Sequence, residues 1–307
     1  MRFNRLDLNQ LVALDALLSE QSVSRAAERI FLSQSAMSNS LTRLREYYED
    51  ELLIPVGRKM IITPLGRRLL PEVRELLVKI YAVTQLRETL DISKLDRELT
   101  LIVSDYASAV FMPLVLRLVS MEAPGIKIHI KQLDNTWREQ LERGEVDVVI
   151  IPDSFKHDGH PSERLFEDKY CCVVWKENPE LDGSLSLDDY YRLGHVVAQI
   201  SEGRTTLFDQ WFLEQYGQVR RVEVKAPYFS LLPALVAGTS RIATVHYQLA
   251  KLFERMLPID IYDIPFEVPN FVENIQYHKH FGADPVTSWF RGLLHKVAKE
   301  LMIEPNQ

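Results

Sequence analysis

Ser33-Gln34-Ser35 and Ser38-Asn39 set short hydroxyl and amide side chains at the start of a helical stretch, and Thr42, Arg43 and Arg45 follow. The apolar Ala36, Met37, Leu41 and Leu44 recur at helical spacing and mark the face that turns inward. In a major groove, Asn and Gln pair bidentately with adenine, and a Ser hydroxyl donates or accepts. Cations further along reach phosphates, which position a protein without reading bases. The chemistry such a face would offer is recognition of duplex DNA. A solvated polar helix face has the same composition, so the neighbouring elements must decide.

Those neighbours form a positioning frame. Leu8, Leu11, Val12 and Ala16 make one helical stripe, and Ser22 to Ile30 a second helix closed by the turn Phe31-Leu32-Ser33. The small Ala26 and Ala27 let two helices cross closely, while Ile30, Met37 and Leu41 fill the wedge. Two short apolar runs around Gly57-Arg58-Lys59 read as a hairpin wing whose cations, Arg58 and Lys59, track the phosphate backbone. Thr63 caps and Pro64 opens a long helix. Its seam of Leu69, Val73, Leu76, Ile80, Val83 and Leu90 is interrupted by Arg87, and Pro71 predicts a kink. A lone helix between two domains has nowhere to bury that seam, so a contact with a second copy is expected. Packing on its own body is the alternative.

At 307 residues, 46% hydrophobic and 26% charged, the chain has room for two or three cores. Residues 1–90 hold 13 Lys+Arg against 11 Asp+Glu, and the remainder 23 against 32, consistent with a small nucleic-acid head on an acidic body. No run approaches a membrane span, and Met1 to Asp7 lacks an export signal, so a cytosolic location is expected. Cys171 and Cys172 are neighbours in an apolar strand and read as two buried, inert thiols. No GxSxG, HExxH, P-loop, GxGxxG or CxxC pattern occurs, so neither enzyme activity, nor a metal, nor a cofactor is expected.

Beyond residue 98 strands and helices alternate. Strands are predicted at 99–103, 126–130, 146–151, 171–175, 195–200, 222–226, 242–245 and 271–278. Helices are predicted at 108–121, 136–143, 187–192, 205–215, 230–236, 247–253 and 285–302. The alternation predicts doubly wound parallel sheets in two α/β lobes with a ligand cleft between them. Ligands then meet strand C-termini: Ser104, Asp105 and Tyr106 in one lobe, Ser201, Gly203, Arg204 and Thr205 in the other. Pro227, Tyr228 and Phe229 would supply an aromatic wall and His278 a polar group, although Ser104 and Thr205 also suit caps and His278 a core position.

Leu6-Asp7-Leu8-Asn9, the Ser24 to Arg45 segment and Arg58 through Thr63-Pro64-Leu65-Gly66 resemble the winged helix-turn-helix of LysR-type transcriptional regulators. The likeness continues in domain order to the C-terminus. Phe111-Met112-Pro113 and Asp284-Pro285 point more closely to the branch regulating nodulation and aromatic-compound degradation. The resemblance implies a fold of α/β class with an N-terminal winged helix-turn-helix (1–63), a linker and dimerisation helix (64–90), a hinge (91–97) and a two-lobed, periplasmic-binding-protein-like inducer domain (98–307). Lobe 1 is expected at about 98–168 and 268–307, lobe 2 at about 169–267. It implies a bacterial cytoplasmic homodimer, often paired into a tetramer, on an interrupted palindrome of double-stranded DNA, with a small-molecule inducer in the cleft and a contact to RNA polymerase. Ser24, Ser33, Gln34, Ser35, Ser38, Asn39, Thr42, Arg43, Arg45, Arg58 and Lys59 are the implied DNA-contacting set. Ser35 stands where the family often has Pro, and Leu53 and Pro55 where it has Phe and Arg, which bears on base preference. The rings near the cleft favour an aromatic or phenolic acid. An activator is the primary expectation; a ligand-independent repressor and a small-molecule solute-binding protein are the alternatives.

Overall fold

A computed structural model describes residues 6–57, 59–84, 91–199, 206–217 and 220–302. The chain folds as two compact units that divide near residue 88.

The first unit begins with three helices, α1 (Leu8–Glu20), α2 (Val23–Arg29) and α3 (Gln34–Tyr48), each opened by a side-chain cap. Asp7 accepts from the Gln10 N–H, Ser22 from Arg25 and Ser33 from Ala36. Leu14, Leu17 and Leu18 of α1, Ala26 and Ala27 of α2 and Met37, Leu41 and Leu44 of α3 share one core. The stripe expected on α1 was displaced: Leu11 and Ala16 are buried, but Leu8 and Val12 face solvent. The reason is that α1 is covered on several sides, by α2, α3 and the following long helix, so a one-stripe reading underestimates its buried face. Asp15 locks this arrangement, receiving Arg29 at 3.0 Å and Arg74 at 3.1 Å.

Strands β1 (Leu53–Val56) and β2 (Lys59–Ile62) form the expected antiparallel hairpin, with Val56 opposite Lys59 and Gly57 in the left-handed region at φ 62°. Asp50 accepts from the Leu52 N–H and the Thr63 hydroxyl, both at 2.6 Å, and so ties the two ends of the wing together. Thr63 in turn caps α4 (Pro64–Thr84) through the Gly66 N–H. Gly66 is required by a close approach, since a Cβ there would lie 2.8 Å from an Ile62 methyl. α4 runs on through Pro71. Leu69, Val73 and Leu77 pack on the core of the unit, whereas Leu76, Tyr81 and Val83 are exposed. Arg87 and Leu90 lie outside the described residues.

The second unit holds two five-stranded sheets. Its first elements are β3 (Arg97–Val103), α5 (Asp105–Val110), α6 (Met112–Glu122), β4 (Ile126–Gln132), α7 (Trp137–Glu142), β5 (Val148–Pro152), β6 (Ser162–Asp168) and β7 (Tyr170–Trp175). Then follow α8 (Leu187–Arg192), β8 (His195–Ala198), α9 (Leu207–Tyr216), β9 (Val222–Ala226), α10 (Leu232–Val236), β10 (Ile242–His246), α11 (Tyr247–Glu254), β11 (Ile259–Tyr262), β12 (Phe271–Gln276) and α12 (Pro285–Met302). One sheet has the order β4-β3-β5-β12-β6 and the other β11-β7-β10-β8-β9.

Neither sheet is wholly parallel as expected. β12 runs antiparallel to β5 and β6, and β7 antiparallel to β10 and β11. The cause is topological: β6 passes into β7 across residue 169 without a helix, and β11 returns to β12 through 263–270, so one strand in each sheet arrives reversed. β6 and β11 are strands beyond those predicted from the sequence. The single helix expected over 108–121 is broken at Phe111, with Pro113 in the first turn of α6.

The segment read as a hinge is anchored. Ile92 and Leu95 pack on the core of the second unit, and Arg97 pairs with Asp147 and Asp284, each at 2.9 Å. Cys171 and Cys172 are buried and free on opposite faces of β7, one in each of two core clusters. Burial pushes the Cys172 thiol up to about 12 and Cys171 well above its ordinary range. No helix among the described residues is long and apolar enough to cross a membrane.

Candidate DNA-reading face and ligand cavity

The exposed face of α3 carries Gln34, Ser35, Ser38, Asn39, Thr42 and Arg43 together, opposite buried Met37, Leu41 and Leu44. Ser24 is exposed near the start of α2, and Lys59 is exposed beside the tip of the wing. Arg58 lies outside the described residues. Ser33 is committed to capping, and its hydroxyl is 3.0 Å from that of Ser35.

Arg45, expected to reach a phosphate, is held within the unit. Its guanidinium donates to the carbonyls of Glu51 at 2.9 Å and Leu53 at 2.8 Å and pairs with the Glu51 carboxylate at 3.1 Å. It fastens the wing to the reading helix. The short spacing from α3 to the wing in the sequence carries that signal only in retrospect.

The second unit contains a cavity of about 390 Å³ between its two sheets. Of the residues expected there, Ser104, Tyr106 and Phe229 line it. Ser104 also caps α5 through the Ala107 N–H. Asp105 is turned away: its carboxylate accepts from the Ser230 N–H at 2.9 Å, and burial raises its pKa. Pro227, Tyr228 and His278 do not reach the cavity. His278 is buried in a file of imidazoles, 4.7 Å from the His160 ring and 5.2 Å from that of His280. It stands beyond the end of β12, and that strand's cavity contact comes from its first residue, Phe271, instead. Ser201, Gly203, Arg204 and Thr205 lie outside the described residues.

Most of the wall is formed by residues beyond those expected from the sequence. Tyr106, Tyr170, Phe208, Phe229 and Phe271 ring the cavity with His246. His246 stacks on Tyr106 with centroids 4.0 Å apart and meets the edge of Phe271 at 4.4 Å. It is buried, neither ring nitrogen has a hydrogen-bond partner among the described residues, and desolvation pulls its pKa down to about 3. The imidazole is therefore neutral, with one donor and one acceptor unanswered. The same strand-end rule that picked out Ser104 applies to His246, the last residue of β10.

Arg220 is the second polar element. It is buried, paired with Asp209, bonded to the Thr244 hydroxyl at 3.1 Å and set over the Phe208 ring at 4.9 Å, and its Nε has no partner among the described residues. Thr206 and Asp209 close the first turn of α9 reciprocally. On the other sheet Arg138 lies over the Trp137 ring at 4.5 Å. Tyr106 donates to Asp168 at 2.6 Å, so its hydroxyl is already used. The result is an aromatic box with unsatisfied polar positions at His246 and Arg220. No cluster of three or more metal-ligating side chains occurs among the described residues.

Comparison with known proteins gives these parts a family. Residues 8–67 match the bacterial regulatory helix-turn-helix protein, lysR family, and residues 93–299 match the LysR substrate binding domain. The chain belongs to the LysR family of transcriptional regulators. Nodulation protein D 1 of Rhizobium tropici is 41% identical over 303 residues, covering 99% of this chain and 98% of its own. A probable transcriptional regulator from Pseudomonas aeruginosa superposes with a TM-score of 0.65 at 25% identity, covering 95% of this chain and 97% of that one. Full-length CbnR complexed with its target DNA shares the fold, with a TM-score of 0.58 at 16% identity over 95% of this chain and 100% of that one. The protein is a DNA-binding, ligand-responsive regulator and not an enzyme.

Proposed function

We propose that this regulator is an activator whose inducer is an oxygenated aromatic molecule held in the 390 Å³ cavity. The observation that carries this reading is the wall of five aromatic side chains around two buried polar groups, His246 and the Arg220 Nε, that have no partner among the described residues. Rings fit rings by offset or edge contact. Leaving buried polar atoms unpaired costs about 1–3 kcal/mol each, which a ligand hydroxyl and an acceptor oxygen would recover once the wall parts enough to expose them. An aromatic acid or phenol supplies both. A dense polyanion fits poorly, because Asp209 offsets Arg220 and leaves Arg138 as the further cation of the lining.

On the DNA side, Gln34, Ser35, Ser38 and Asn39 are the base readers, and Ser24, Thr42, Arg43 and Lys59, with Arg58, hold phosphates. The exposed Leu76, Tyr81 and Val83 of α4 support a homodimer through that helix, further paired into a tetramer on an interrupted palindrome. The match of residues 93–299 to the LysR substrate binding domain supports a small-molecule signal, and relay of that signal to RNA polymerase is the output this reading assigns to it.

The test is a calorimetric titration of a panel of aromatic acids and phenols, run with and without a duplex carrying the segment upstream of the chain's own gene. Coupling is reciprocal, so an inducer that changes DNA affinity must itself bind with altered affinity when DNA is present, by the same factor. Equal ligand affinities in both titrations rule out coupling at equilibrium. No heat and no thermal shift with any member of the panel favours the ligand-independent repressor.

A further inference from the structure

We propose that Phe31, in the turn between α2 and α3, is a DNA-contacting residue whose ring packs on the apolar wall of the major groove, chiefly a thymine methyl. This rests on α3 being the reading helix and is independent of the ligand cavity. The turn is a two-bond helix ending: the Leu32 N–H donates to the Ala27 carbonyl at 2.9 Å and the Phe31 N–H to that of Glu28 at 3.2 Å. In such an ending the residue at the Phe31 position is left-handed and is usually Gly or Asn. Phe31 has φ 57° and is 96% exposed.

Both features work against folding, and no packing among the described residues of the unit offsets them. Three other non-glycine residues among those described have positive φ: Gln21, Glu49 and Leu52. Gln21 and Glu49 are polar residues at helix ends. Leu52 is apolar but fully buried, so its side chain returns packing energy to the fold. Phe31 alone combines an apolar ring, a left-handed backbone and full exposure. Local strain of this kind gathers at functional surfaces.

Position identifies the occupant. Phe31 precedes the Ser33 cap by two residues and Gln34 by three, so its Cα lies within about 11 Å of the Cα of the first base-reading residue. The major groove is about 12 Å wide. With the start of α3 inside it, a large side chain three residues upstream falls on the groove wall, whose apolar surfaces are thymine methyls and deoxyribose carbons.

The experiment compares the full-length parent with F31G and N39A on a duplex from upstream of the chain's own gene, by fluorescence polarisation, with melting curves for each protein. F31G is expected to melt no lower than the parent and to bind about tenfold (~1.4 kcal/mol) more weakly. Replacing thymines singly by deoxyuracil identifies the surface: one position that weakens the parent and leaves F31G unchanged assigns the methyl, and no sensitive position assigns deoxyribose. Parental affinity in F31G, with N39A weakened, overturns the Phe31 contact alone. A lower melting point in F31G also overturns it, because the ring then serves the fold. Parental affinity in N39A overturns the reading helix and the contact with it.

Discussion

His246 gives a test in which stability and binding move in opposite directions. Changing it to Phe keeps a ring in the stack with Tyr106 and Phe271 and removes two buried nitrogens that have no partner among the described residues. The adjoining cavity gives the slightly larger ring room. Without ligand, H246F is expected to be more stable than the parent at pH 7 by about 1–3 kcal/mol. For a unit of this size that raises the melting point by roughly 2–10 °C.

The pH dependence makes the argument sharper. Burial holds the imidazole at about 3, against about 6.5 in an unfolded chain. The unfolded state therefore binds more protons between these values. The contribution of neutral His246 is intact above pH 6.5 and is lost as pH falls toward 3. Between pH 7 and pH 5 the parent loses about 2 kcal/mol through this residue, and H246F loses none of it. His160 and His195, each held to about 4, titrate alike in both proteins. The assay is urea unfolding at pH 7 and pH 5, with calorimetric titration of a phenolic acid at pH 7, where affinity should fall about tenfold. An H246F protein that melts below the parent at pH 7, or that loses as much stability at pH 5, refutes the unpaired neutral ring.

Replacing Gln34 or Asn39 by Ala should remove about 1–3 kcal/mol of discrimination at one or two base pairs, measured by fluorescence polarisation on single-base operator variants. K59A should weaken binding to all sequences and flatten the salt slope by about one, whereas R45A should leave the slope nearly unchanged and loosen the wing, seen as faster amide exchange near Leu53. D15A leaves Arg29 and Arg74 without their buried carboxylate and should destabilise the first unit by about 3–5 kcal/mol in thermal melts. Iodoacetamide at pH 8 should leave Cys171 and Cys172 unmodified until denaturant is added; labelling of the native chain would contradict their burial.

The first unit was readable because its signals are local. Ser33 and Thr63 announce helix starts and cap as their positions imply, and Asp7 and Ser22, not expected as caps, serve the same way. Gly57 between two apolar runs announces the hairpin. The second unit was readable only where strand and helix alternate. β6, Ser162–Asp168, is four charged residues in seven and resembles a loop, yet it pairs because it lies at a sheet edge. The antiparallel strands follow from where the chain crosses between sheets, which no local pattern encodes. Cavity residues at strand ends were within reach of a simple rule. Arg220, Trp137 and Phe208 were not, because they meet across long separations in sequence and their roles come from tertiary packing.

The two sheets of the second unit are joined by just two strand-to-strand passages, at residue 169 and at 263–270. Tyr170 and Phe271, the first residues after each passage, both line the cavity, with their rings 6.0 Å apart. Any rotation of one sheet against the other must swivel about the backbone that carries these two rings. On the function proposed above, a molecule lying against these two rings would press on the pivot itself, so that occupancy and the angle of the halves would become one variable without a relay of intervening side chains.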